Sequence, residues 1–247
     1  MSLPREAGWA IPFDAPFYPP LPALYRNVEF QQVFFRVDPA QTARFLPEPL
    51  VPSPVGECLA TGIRIPFSTA YGAFNEAALD IKAVFNGTTG WYSTHVWHDG
   101  PKGIAAGREI YGTPKIFSSI DIRQLDASML TRASIGGVPI ITISSTMDQA
   151  IAASELRTTT PTWRLKMIPR ADRPGPAIKQ LIDGTSATTD LVMHAAYRGR
   201  GTVHFEPSPQ GDFTALTPIE YLGAFYFEAS YSEGFATIAL DYLAEGK

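Results

Sequence analysis

A lysine that directly follows a proline and is flanked by apolar residues is the group whose setting most suggests covalent chemistry. It is Lys115, in the stretch Gly107-Arg108-Glu109-Ile110-Tyr111-Gly112-Thr113-Pro114-Lys115-Ile116-Phe117. Gly112 permits backbone angles that other residues avoid, and Pro114 fixes its own φ and pushes Thr113 towards an extended shape. Lys115 is thereby presented from a constrained backbone beside Ile116 and Phe117. Burial of such a lysine disfavours the ammonium and leaves a neutral amine able to attack a carbonyl. The alternative is a surface lysine whose stem covers apolar neighbours while its head stays in water. Read as extended, the stretch places Tyr111 on the face of Lys115, either as a hydroxyl that orients a substrate oxygen or as a core tyrosine. Arg108 and Glu109 then point to opposite faces, which suits structural roles better than a mutual pair.

Glu76 is the second candidate. It lies in Ala73-Phe74-Asn75-Glu76-Ala77-Ala78-Leu79, an apolar setting for a carboxylate, although a turn-exposed glutamate would fit the same sequence. A carboxylate next to a lysine keeps the ammonium charged, so Glu76 is expected near the substrate rather than paired directly with Lys115. His95, His98 and Asp99 invite a metal reading. On a strand, however, residues three apart face opposite sides and make a poor chelate, while His194 and His204 are isolated and Cys58 is the lone cysteine. No metal site is therefore predicted. The chain also lacks a Gly-x-Ser-x-Gly elbow, a P-loop and a dinucleotide fingerprint.

The elements that must carry these residues read mainly as strands. Residues 1–23 hold Pro4, Pro12, Pro16, Pro19, Pro20 and Pro22 between aromatics, the mark of an extended arm, and residues 24–247 read as one mainly β domain. Strands are predicted at 28–37, 57–67, 78–85, 91–97, 117–125, 129–135, 138–147 and 161–169, from β-branched and aromatic runs between turn signals. Asn86-Gly87 signals a tight hairpin. Asn86-Gly87-Thr88 also spells a glycosylation sequon, which the hairpin reading overrides. Asp38-Pro39 caps a short helix over 39–46, and the only other helical stretches expected are 176–182 and the last fifteen or so residues. Short strands at hairpin spacing point to an antiparallel sheet folded or closed on itself.

Composition narrows the class. The chain has 247 residues, 45% apolar and 18% charged, with a net charge of −4. That is enough to build a core, and the absence of a basic cluster argues against nucleic acid as partner. No apolar run reaches the ~20 residues of a membrane-spanning helix. The first residues lack a signal-peptide pattern and the one cysteine cannot form an internal disulfide, so a cytoplasmic setting is expected.

Gly-Arg-Glu-Ile-Tyr-Gly-Thr-Pro-Lys at 107–115 resembles the signature of the acetoacetate decarboxylase family. Tyr25-Arg26-Asn27, Phe35-Arg36-Val37-Asp38, Phe45-Leu46-Pro47-Glu48-Pro49-Leu50, Val84-Phe85-Asn86-Gly87 and Trp163-Arg164-Leu165-Lys166-Met167-Ile168-Pro169 follow the family in order. The likeness runs from about residue 15 to the end and is loosest after about 195. It implies an antiparallel β-barrel or cone with a few short helices, and a homo-oligomer. It implies a Schiff base between Lys115 and a small keto acid, with Glu76 exchanging protons. Acetoacetate decarboxylase is itself the standard illustration of a lysine activated by desolvation or by a cationic neighbour. No cofactor is implied, because the imine is the electron sink.

Three positions depart from the resemblance. The family follows its lysine with a second lysine where this chain has Ile116, has an arginine in the early strand where this chain has Val28, and has a glutamate in place of Thr61. Moving a lysine from ~10.4 to near 7 costs about 4–5 kcal/mol, which desolvation can supply without Ile116 being a lysine. Val28, Ile116, Thr61 and Tyr111 are thus the expected substrate-pocket positions. The loss of charge slightly favours aldolase or dehydratase chemistry on pyruvate-like acids, with an aldehyde as second substrate. The alternatives are decarboxylation of acetoacetate to acetone and carbon dioxide, and a non-catalytic barrel that binds a small molecule.

Overall fold

The computed structural model of the chain describes residues 8–208 and 211–244. Its frame is a row of long strands whose two faces do different work. The first part of the chain gives β1 (Ala23–Arg36), the short α1 (Pro39–Thr42), β2 (Val51–Pro52), β3 (Glu57–Ile65), β4 (Phe67–Ser68), β5 (Phe74–Phe85) and β6 (Thr88–His98). Asp38 accepts from the amide of Ala40 and Pro39 opens the helix, as the sequence anticipates. Asn86 and Gly87, at φ 49° and 77°, make the tight turn that returns β5 into β6.

After β6 comes α2 (Pro101–Ala106), a π-helical turn (Gly107–Tyr111), and then β7 (Lys115–Phe117). The strands that follow are β8 (Ser119–Leu125), β9 (Ser128–Ile135), β10 (Val138–Thr146), β11 (Gln149–Ala150), β12 (Thr162–Pro169), β13 (Pro176–Asp183), β14 (Thr188–Gly199), β15 (Gly201–Phe205), β16 (Glu220–Glu233) and β17 (Thr237–Asp241). The large sheet runs β11-β14-β16-β1-β3-β5-β6-β12-β13-β17, with β2, β4 and β7 on its flanks, and the small sheet runs β15-β10-β9-β8. Pairing is antiparallel throughout except where β6 meets β7 and β12 in parallel.

The protein is therefore mainly β, as predicted, but neither sheet closes. The hydrogen-bonded path of the large sheet ends at β11 and at β17 without a pairing between them, so the expected barrel takes the form of two open sheets. The predicted helix over 176–182 is strand β13, held between β12 and β17. The expected C-terminal helix is also absent from the described residues, because β17 occupies 237–241, while 245–247 lie outside them. In both cases pairing to a neighbour outweighs a weak local preference. The arm's residues 9–22 carry no strand or helix, and Pro4 lies outside the described residues.

Alternation along each strand separates two faces. One face of β1, β3, β5 and β6 contributes Val33, Phe35, Ala60, Leu79 and Trp97 to the main core, where they meet Ala133, Ile141, Ile143 and Val203 of the small sheet. Residues of the other parity form a single cross-strand row: Phe227 pairs with Phe30, Phe30 with Ile63, Ile63 with Glu76, and Glu76 with His98. Directly paired residues share a face with Cβ atoms about 5 Å apart, so register alone places Glu76 beside His98 at the end of an apolar row.

Candidate active site

Lys115 enters this face through β7, where it pairs with Val96 of β6. Its ammonium nitrogen lies 2.7 Å from Glu76 Oε1, and both side chains are about seven-eighths buried, at 13% and 12% exposure. The same nitrogen sits 5.6 Å above the Phe74 ring. The helical connection before β7 makes room for the lysine stem. A Cβ on Gly107 would lie 2.7 Å from Lys115 Cε, and Gly112, at φ 68°, passes so close to Lys166 that a Cβ would meet its backbone at 2.3 Å. Arg108 donates to the Lys115 carbonyl at 3.1 Å and fixes the end of the loop.

The stretch 107–111 is thus helical rather than extended, because Pro101 starts a helix that runs on into the π turn. Tyr111 consequently does not share a strand face with Lys115. It is buried and donates to the Gly234 carbonyl at 2.7 Å. Glu109 accepts from the Tyr18 hydroxyl at 2.5 Å, which ties the N-terminal arm to this turn. The direct contact of Glu76 with Lys115 also differs from the sequence expectation. β5 starts at Phe74, earlier than predicted, which brings Glu76 into the strand and under the lysine.

His98 completes the cluster, and sequence reasoning had weighed it only as a metal ligand. Its ring is fully buried, stacks on Phe74 with centroids 4.4 Å apart, and places Nε2 3.3 Å from Glu76 Oε1. Gly100 donates its amide to Nδ1 at 2.7 Å, which assigns the proton of the neutral ring to Nε2. Burial pushes His98 down to about 4; Glu76 pulls it up and Lys115 adds to the depression. Burial opposes ionisation of Glu76, but Lys115, His98 and Arg164 together hold its carboxyl below the usual range. His95 lies on the opposite face, against Trp97 and Phe213, so the two histidines do not converge. Among the described residues no group of three or more metal-ligating side chains gathers. Neither of the other two histidines stands alone: His194 meets Ser230 Oγ at 2.7 Å, and His204 meets Glu206.

Lys115 and Glu76 open on a cavity of about 510 Å³, within the range of small-molecule sites. Its lining mixes polar groups, Thr113, Thr162, Arg164 and Glu233, with apolar ones, Phe30, Ile63, Ile65 and Phe227. Tyr25 donates to Glu233 Oε2 at 2.8 Å, and Tyr231, stacked on Tyr25 with ring centroids 4.8 Å apart, also lines the cavity. Of the expected pocket positions, Val28 is buried behind Tyr25, Ile65 and Phe74, and Thr61 lies deeper along the same face of β3. Ile116 faces the other side of β7 with its partner Trp97. None of the three borders the cavity. Arg164, Tyr25, Tyr231 and Glu233 do, and sequence reasoning assigned none of them a role. The one signal for Arg164 was a charge next to the buried Trp163 on a strand, where alternation turns it to the other face.

The fold and site define a mainly β protein with a buried lysine–carboxylate pair at the wall of a small-molecule cavity. The description of the acetoacetate decarboxylase family matches residues 3–243. The acetoacetate decarboxylases of Ralstonia nicotianae and Chromobacterium violaceum are each 30% identical to it over 247 residues, covering 98% of both chains. The chain belongs to the acetoacetate decarboxylase family. Among solved structures, an acetoacetate decarboxylase superposes with a TM-score of 0.88 at 23% identity, covering 95% of this chain and 96% of its own. The enduracididine biosynthesis enzyme MppR, complexed with pyruvate, superposes at 0.82 and 20%, covering 95% and 98%. No helix among the described residues is long and apolar enough to cross a membrane.

Proposed function

We propose that the protein is a Schiff-base lyase in which Lys115 forms an imine with a small keto acid. The observation that carries this reading is the 2.7 Å contact between the Lys115 nitrogen and Glu76 in the wall of a cavity of small-molecule size. One proton of the ammonium passes by way of Glu76 to the ketone oxygen as the amine attacks the ketone carbon. That oxygen leaves as water after a second transfer, giving a protonated imine. The imine then accepts the electron pair of a departing carboxylate, with release of carbon dioxide. Alternatively it loses a proton from the adjacent carbon, and the enamine adds to an aldehyde. The enamine carbon left by decarboxylation, or the alkoxide left by aldehyde addition, takes up a proton, and hydrolysis of the resulting imine returns the lysine.

The preference for aldolase or dehydratase chemistry rested on a cavity that had lost its cation at position 28. Arg164 borders the cavity, so that reason no longer separates the two reactions. The curated relatives are named for decarboxylation and one structural neighbour holds pyruvate, and these support the two outcomes equally. Borohydride reduction in the presence of pyruvate or acetoacetate, followed by intact mass and peptide mapping, should place an adduct on Lys115. Lys115→Ala should fold and lose trapping. Mapping to Lys82, Lys102 or Lys166 instead would overturn the assignment. Carbon dioxide release from acetoacetate, set against exchange of the pyruvate methyl protons with deuterium, then tells the two reactions apart.

A further inference from the structure

The cavity wall contains a cation that makes no ion pair with any described residue. Arg164 sits on β12, and its side chain enters the wall shared with Lys115 and Glu76. Among the described residues it forms no ion pair, and its Nε is sealed from solvent without a hydrogen-bond partner. Two other arginines, Arg26 on β1 and Arg64 on β3, are engaged elsewhere. Arg26 donates to the Tyr25 carbonyl at 2.9 Å, and Arg64 pairs with Glu29 at 2.8 Å. Neither borders the cavity.

The guanidinium occupies a recess that only glycine provides. A Cβ on Gly184 would lie 2.6 Å from Arg164 Nη1 and 3.2 Å from its Cζ. The Gly184 amide donates to the Thr162 carbonyl at 2.9 Å, which locks this turn against the strand that carries the arginine. A guanidinium held in place, partly desolvated and without a carboxylate partner, is matched by an anion with two parallel acceptor oxygens. Of the other groups that line the cavity, Phe30, Ile63, Ile65 and Phe227 are apolar, Glu76 and Glu233 repel anions, and the one other cation, Lys115, is paired with Glu76.

We propose that Arg164, seated in the recess left by Gly184, binds the carboxylate of the substrate and is the residue that selects keto acids over neutral ketones. The inference rests on the Schiff-base reading for its substrate, though not for the anion site itself. Two probes separate the parts. Pyruvate and the neutral ketone butanone both offer Lys115 a carbonyl, but only pyruvate offers Arg164 a carboxylate. Lactate offers the carboxylate and cannot form an imine.

In Arg164→Met, the pyruvate concentration for half-maximal borohydride trapping should rise ~30-fold, the size expected for losing a charge-assisted hydrogen-bonded pair. Trapping of butanone should keep its wild-type concentration dependence, which controls for any effect of the lost charge on Lys115. Lactate binding, measured by calorimetry, should weaken by a similar factor. Gly184→Ala keeps the charge but displaces the fork, so it should act in the same direction and serves if Arg164→Met does not fold. Equal shifts for pyruvate and butanone, unchanged lactate binding in Arg164→Met, or wild-type pyruvate affinity in Gly184→Ala would each overturn the proposal. If no carbonyl compound is trapped on Lys115 while lactate binding still depends on Arg164, the Schiff-base reading fails and the anion site stands.

Discussion

At the scale of single residues, the chemistry turns on how Glu76 divides one oxygen between two neighbours. Oε1 lies 2.7 Å from the Lys115 nitrogen and 3.3 Å from His98 Nε2. In the proposed protonated imine the lysine nitrogen keeps a single N–H, and the Nε2 proton of His98, 3.3 Å from Oε1, is the other positive end near the carboxylate. In Glu76→Gln the proton relay falls to water, so the trapped imine should still form, more slowly, while turnover falls by about 10²–10⁴, the usual worth of general acid–base catalysis. A wild-type rate in that variant would make Glu76 structural. His98→Phe keeps the stack on Phe74 and removes the N–H. We expect trapping to persist, turnover to drop several-fold as the polar contact with the carboxylate is lost, and the acid limb of the rate profile to move to higher pH. His98→Gln, which restores a donor, should recover part of both; a role in packing alone would leave the pH profile in place.

At the scale of elements, the connection 101–115 converts a short helix into the placement of one amine. Gly107 has φ −60° and ψ −41°, ordinary helical values, so alanine suits its backbone and should stabilise the helix by roughly 1 kcal/mol. Its Cβ, however, would fall 2.7 Å from Lys115 Cε and 2.8 Å from Cδ. The lysine tip can move aside, so Gly107→Ala should fold with an equal or higher melting temperature while trapping slows by about 10²-fold, the cost of a displacement near 1 Å. Undiminished trapping would mean the stem has other room. This element also shows where the sequence was legible. The order Gly-Thr-Pro-Lys marked Lys115, which lies in the cavity wall, the Asn86-Gly87 turn fixed β5 against β6, and strand alternation put His95 and His98 on opposite faces. Helix 101–106 was missed because it is short, holds Gly103 and is flanked by Gly100 and Gly107, and Tyr111 was misplaced with it. The long strand β16 was not foreseen, and Tyr231 and Glu233 at its end went unassigned. Arg164 escaped because its role comes from pairing between distant strands, which no local pattern encodes.

At the scale of the molecule, the price of these buried ionisable groups sets the response to pH. Burial pushes His95 down to about 4, and burial is also the main cause for His98, likewise at about 4. Unfolded, each would titrate near 6.5, so between these values the unfolded chain binds more protons and stability falls as pH falls. Each histidine costs about 3 kcal/mol over that window. Glu76, held below its ordinary value, adds to the loss at the acid end. Asp80 works in the opposite sense. Burial raises it to about 6, against the Ser93 hydrogen bond and Arg164, so the folded protein binds a proton more readily than the unfolded chain between about 4 and 6. Acidification therefore returns on the order of 3 kcal/mol at Asp80 while the two histidines lose about twice that. Urea midpoints should decline from pH 6.5 to 4, by a net loss on the order of 3 kcal/mol. Asp80→Asn keeps a partner for Ser93 and removes the buried charge. It should be more stable than wild type at pH 7 and decline more steeply on acidification, because the offset is gone. A wild-type profile that is flat from 6.5 to 4, or an Asp80→Asn profile parallel to it, would show that these groups titrate alike in the folded and unfolded chain.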